Sequence, residues 1–137
     1  MPALNALAAA TPGGQALYSD LVHFVNVYVI EPHPADPDPS PYRGTVWETP
    51  PVSDRRQPRT LAERMGLARE VRPLIAGNQI QVVDDLRPDV QVNPFWCTYG
   101  TAPNAAYLIR KDGTFHTVQT WFNAPAMEAA LRNLLGF

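Results

Sequence analysis

With 137 residues, 45% of them hydrophobic and 18% charged, the chain has the size and composition of one globular domain, 1–137, with one core rather than of a disordered segment. A net charge of −2 without a basic block argues against nucleic-acid binding, because neutralising phosphates needs clustered Lys and Arg. No apolar run approaches the ~20 residues of a spanning helix, and Met1 to Ala10 lacks the basic start of a signal peptide. The expectation is therefore a cytoplasmic protein with no membrane contact. A single cysteine, Cys97, leaves no internal disulfide, CxxC couple or cysteine-rich zinc site.

Pro2 to Ala10 is rich in Ala and Leu and reads as a helix, interrupted by Thr11-Pro12-Gly13-Gly14; Ala16 to Leu21 adds a further turn or two. Val22 to Ile30 is nearly continuously apolar and β-branched, the pattern of a central strand covered on both faces, with His23 and Asn26 as its polar exceptions. Eight of the fifteen prolines fall between Glu31 and Pro58. This stretch, residues 31–59, is too long for a routine connection and reads as a packed or functional loop within the domain. Tyr42 and Trp47 suit a loop that folds onto the body.

Thr60 and Glu63 form a capping box for a helix with Leu61, Met65, Ala68 and Val71 at helical spacing, ended before Pro73. Ile80 to Val83 reads as a second buried strand, and Asn93 to Tyr99 as one helical turn with Pro94 early in it. Ala105 to Ile109 and Thr114 to Trp121 flank Lys111-Asp112-Gly113, a hairpin signal. Asn123 caps a last helix with Pro125 in its first turn, an apolar stripe of Met127, Ala130, Leu131, Leu134 and Leu135, and Gly136 at its end. A strand–helix–strand crossover followed by a hairpin and a helix predicts an α/β domain with a mixed sheet flanked by helices.

Glu31 and His33 follow a strand's C-terminal end, where open α/β sheets place their sites. One residue apart in an extended segment, their side chains can point the same way. A carboxylate beside an imidazole raises the imidazole's pKa, which makes a proton donor near neutrality; the structural alternative is a proline-stiffened loop whose pair caps backbone groups. Cys97, after Phe95 and Trp96, reads either as an inert core thiol or as the one thiol nucleophile of the chain. Tyr42, Trp47, Trp96 and Tyr99 could wall an aromatic pocket for a small molecule or simply anchor core and loop. His23 reads as a hydrogen-bonded core histidine and His116 as an exposed residue of the hairpin. The three histidines have no metal-ligand spacing, and no glycine-rich nucleotide loop is present, so neither a metal nor a cofactor is implied.

The element order resembles the thioredoxin fold from its first core helix onward. Gly100-Thr101-Ala102-Pro103, then Asn104 to Ile109 and Asp112-Gly113, is similar to the cis-proline segment and hairpin of thioredoxin-like proteins. Phe24 to Pro34, FVNVYVIEPHP, resembles the strand and glutamate-x-histidine-proline signature of the iodothyronine deiodinases and their bacterial relatives. Ser40-Pro41-Tyr42, Trp47, Gln57-Pro58-Arg59-Thr60 and Asn93 to Gly100 resemble those relatives too, so the likeness covers roughly residues 3 to 135.

The resemblance implies a thioredoxin-like domain, lacking the first core strand, with Glu31 and His33 as a proton-transfer pair and Pro103 presenting backbone to substrate. In that family a strand and a cysteine- or selenocysteine-bearing turn precede the first core helix, and nothing here precedes Met1. Two readings follow: a shortened form whose missing segment held the nucleophile, or a protein that works without it. A missing strand also exposes a sheet edge, which makes pairing with a second copy an expectation. The implied function is that of a deiodinase-like oxidoreductase acting on a small, aromatic-type substrate, with Cys97 the available thiol. The alternatives are a non-redox acid–base enzyme, of isomerase, lyase or cyclase type, in the same cleft, or a redox-inactive binding module.

Overall fold

The computed structural model describes residues 1–14, 16–32, 34–35, 55–87, 93–100 and 104–137. Among the described residues, five α-helices and four strands follow one another: α1 Pro2–Ala8, α2 Tyr18–Leu21, β1 Val25–Tyr28, α3 Leu61–Val71, β2 Ile80–Val83, α4 Pro94–Tyr99, β3 Ala106–Ile109, β4 Phe115–Gln119 and α5 Ala124–Leu135. The architecture is a mixture of helix and strand, in the order anticipated from the pattern. The chain clusters into two compact units, one of Met1–Asn26, Val71–Val82 and Asn104–Phe137, the other of Val27–Glu70 and Val83–Pro103.

The first unit holds the apolar core. Leu7 of α1, Tyr18 of α2, Leu108 of β3 and Met127 and Leu131 of α5 are buried against one another. Asn123 starts α5 by accepting a hydrogen bond from Ala126 N at 2.9 Å, and Gly136 ends it with φ 80, a left-handed conformation that glycine adopts without a Cβ penalty. The β3–β4 hairpin is antiparallel, pairing Ala106 with Gln119 and Leu108 with Thr117, with a register shift after Leu108. At its turn Gly113 has φ 86, and Asp112 Oδ1 accepts from Thr114 N and Oγ1. A polar chain crosses the same unit: Asn26 donates to Gln79, Gln79 donates to Asn5, and Asn5 donates to Leu74 O.

β1 and β2 form a second two-stranded sheet. Ile80 N donates to Phe24 O and Asp84 N to Tyr28 O, each at 2.8 Å. The two bonds advance together along both strands, so the pair is parallel. The single mixed sheet anticipated from the sequence is thus present as a parallel pair and an antiparallel pair, because no described strand bonds to both. The strands are also less covered than their apolar composition suggests. Only Val25 to Tyr28 of the Val22–Ile30 run is strand, since Val22 N is still bonded back to Tyr18 O of α2. Val25, Ile80 and Val82 stand 50%, 44% and 41% exposed, and His23 is exposed rather than core. Alternation decides this: the covered residues are the intervening ones, with Asn26 buried through its bond to Gln79.

In the second unit α3 begins on the anticipated capping box. Glu63 N donates to Thr60 Oγ1, and Glu63 Oε2 accepts from Thr60 N and Arg59 N. Its buried face differs from expectation. Arg64 and Ala68 are buried, while Leu61 and Met65 are exposed. The backbone bonds from Arg59 and Thr60 hold the Glu63 carboxyl below its usual range. A carboxyl lowered by folding stabilises the fold above its unfolded-chain value, and the contribution is lost as pH falls through the lowered value. Glu63→Ala is therefore expected to lower the urea midpoint at pH 7, with the gap to wild type narrowing in acid; a gap independent of pH would contradict the capping role.

Candidate functional site

At the C-terminal end of β1 the chain leaves the ladder and enters Glu31-Pro32. Here the backbone groups of Glu31 lose their strand partner, and the Gln57 side chain replaces it. Glu31 N donates to Gln57 Oε1 at 3.1 Å, and Gln57 Nε2 donates to Glu31 O. A primary amide carries one acceptor and two donors, so it pairs with both groups of one residue as a neighbouring strand would. Further on, Ala35 N donates to Arg55 O at 2.7 Å, so residues 55–57 run beside the segment after β1. Pro34 and Pro58 are buried there.

The Glu31 side chain is held as well: Tyr28 Oη donates to Glu31 Oε1. Tyr28 is the last residue of β1 and is partly buried. Burial first, and then the bond to Glu31 and its negative charge, push the Tyr28 phenol far above the ordinary tyrosine value. The phenol is a neutral donor throughout the physiological range.

A second polar group lies at the end of β2. Arg64, 1% exposed, donates from Nη1 to Asp84 O and Asp85 O at 3.1 and 2.9 Å and from Nη2 to Asn93 Oδ1. Burial lowers its pKa, against the opposing pull of Asp84, Tyr28 and Asp85. The Asp84 carboxylate, buried with it, accepts from Phe95 N and Trp96 N at 2.8 and 3.0 Å. It thereby caps α4 from outside the helix, satisfying amides that have no intrahelical partner. Its negative charge also suits the positive end of the helix.

Helix α4 carries three of the sequence-derived candidates. Cys97 is exposed, not part of the core. Trp96 lies over Gly100, where a Cβ would collide with the indole and with the Trp96 carbonyl. Tyr99 is exposed and packs against Phe95 with ring centroids 4.9 Å apart and the rings tilted by 46°. His33, Tyr42, Trp47 and Pro103 lie outside the described residues. His116, in the first unit, is partly buried and its Nδ1 lies 2.7 Å from Arg110 Nη2. Among the described residues no cluster of three or more His, Cys, Asp or Glu side chains could hold a metal ion, and no helix is long and apolar enough to cross a membrane.

Of the candidates named from the sequence, Glu31 and Cys97 lie in the same unit, and Glu31 is the one with a built environment. Tyr28 and Gln57 complete that environment; neither they nor the Arg64 and Asp84 group at the end of β2 were anticipated. Comparison with known protein families, with curated proteins and with solved structures finds no match for this chain.

What the arrangement can do follows from its atoms. Glu31 is a carboxylate whose backbone is fixed and one of whose oxygens is engaged, the arrangement of a positioned proton acceptor. The exposure of Cys97 makes it a thiol that reagents can reach. Iodoacetamide is expected to alkylate Cys97 in the native protein without denaturant; labelling that appears only on unfolding would contradict the placement.

Proposed function

We propose that this chain is an enzyme of the thioredoxin-like, deiodinase-like kind whose chemistry is proton transfer by Glu31. The observation that carries the reading is the fixation of Glu31 at a strand's C-terminal end. Its peptide is clamped by Gln57 and its carboxylate is held by Tyr28. General bases act best when held within hydrogen-bond reach of the proton they take, and a clamped carboxylate meets that need without a metal or nucleotide. The substrate class is a small molecule with an acidified C–H, O–H or N–H. His33, two residues on, is proposed as the partner that returns the proton. The reaction type is isomerisation, elimination or cyclisation.

The exposure of Cys97 favours a second reading, thiol-dependent reduction of a small aromatic substrate as in the deiodinase-like family. There Cys97 would be the nucleophile, an added thiol would regenerate it, and Glu31 would handle the proton.

Two probes separate the readings. Phenylpyruvate exchanges its C3 protons with deuterated water by proton abstraction next to a carbonyl, and 3,5-diiodotyrosine with dithiothreitol reports reductive loss of iodide. The acid–base reading predicts catalysed exchange that falls about 100-fold or more in Glu31→Gln and is unchanged in Cys97→Ser. Iodide release that disappears in Cys97→Ser would favour the thiol reading. Exchange at the buffer rate, or unaltered exchange in Glu31→Gln, would refute the first.

A further inference from the structure

Tyr28 lies in an apolar strand, where a tyrosine is ordinarily a core residue with its hydroxyl at the surface. Its surroundings show otherwise. Tyr28 O accepts the Asp84 amide, so the ladder fixes its backbone. Its ring is half-buried, and its hydroxyl donates along the chain to Glu31 Oε1. The spacing from Tyr28 to Glu31 is three residues, which an extended segment turning out of the sheet can close. A lone glutamate at such a point would sample several rotamers, each a different place for its charge.

We infer that Tyr28 is the positioning residue of Glu31: by engaging one carboxylate oxygen it presents the other, Oε2, to the substrate in a single geometry. This deepens the acid–base reading and rests on it. Three points of Glu31 are then fixed, its N–H and carbonyl by Gln57 and Oε1 by Tyr28. Among the described residues none donates to Oε2. One oxygen serves geometry and the other chemistry.

The division of labour needs a donor that does not itself give up its proton. The phenol meets that need. Burial and the neighbouring carboxylate hold it in its neutral form, and the Arg64 cation, which favours ionisation, is outweighed. Glu70 adds negative charge on the same side of the balance. A serine at position 28 would be held by the same ladder but carries its hydroxyl too close to the backbone to reach as far as the phenol does, and a water would not be anchored at all.

Tyr28→Phe keeps the ring and its packing and removes only the donor. Two measurements test the assignment. In the phenylpyruvate exchange assay, kcat is expected to fall roughly ten- to a hundredfold while KM stays within about twofold, because the variant frees the base without touching substrate binding. In an ultraviolet titration of tyrosine ionisation, which needs no substrate, Glu31→Gln is expected to bring one late-ionising phenol down toward the ordinary range. Wild-type kcat in Tyr28→Phe alongside an inactive Glu31→Gln would overturn the role of Tyr28 alone. A tyrosine titration that Glu31→Gln leaves unchanged would overturn the contact itself. Wild-type protein that catalyses no exchange would overturn the acid–base reading, and the role of Tyr28 in it.

Discussion

A peptide group that leaves a sheet must find new hydrogen-bond partners or remain in water, and in this chain that requirement falls on Glu31. Pro32 and Pro34 on either side of position 33 have no N–H, so the segment cannot continue a ladder. The solution is a side-chain amide, Gln57, which returns from 26 residues away and bonds both backbone groups of Glu31. That contact brings the segment around 55–58 beside the end of β1, and so fixes where the chain enters α3. Two proline-rich arms are thereby tied together at the residue with the strongest claim to chemistry.

The end of β2 meets the same requirement with charges. Carbonyls of Asp84 and Asp85 point beyond the strand, and the amides of Phe95 and Trp96 at the start of α4 need acceptors. Arg64 donates to the first pair and the Asp84 carboxylate accepts from the second. Burying either charge alone would cost several kcal/mol. Buried together, with hydrogen bonds to backbone on each side, they join α3, the Asp84-Asp85 segment and α4 into one framework. A buried cation on the inner face of α3 is thus a consequence of two unpaired carbonyls nearby. The framework also sets the position of α4, and with it the outward direction of Cys97.

Features written within a few residues of one another were legible in the sequence. Thr60 with Glu63, Asn123 before α5, Gly136 after it and the Asp112-Gly113 hairpin each depend on partners within about one turn, and each lies where the local pattern puts it. Burial was less legible. Leu61 and Met65 mark a helical stripe, yet the inner face of α3 belongs to Arg64 and Ala68, because what faces that side is polar backbone. His23 sits in an apolar run but is exposed, since strand geometry begins only at Val25. The site shows the same limit. Glu31 could be singled out from its position after a strand. Gln57 is 26 residues from it, and Arg64 is 20 and 29 from Asp84 and Asn93, separations over which no local pattern registers. Tyr28 is close in sequence but was indistinguishable, as one more apolar strand residue, from its neighbours.

The claim on which the rest depends is that Gln57 holds the Glu31 peptide. Amide hydrogen exchange at Glu31, followed by NMR in wild type and in Gln57→Leu, tests it most directly. The clamp predicts that the Glu31 amide is protected in the wild type and exchanges at least about tenfold faster in Gln57→Leu, while the Asp84 amide in the β1–β2 ladder keeps its protection. A Glu31 amide that exchanges at the free-chain rate in the wild type, or equally fast in both proteins, would contradict the account.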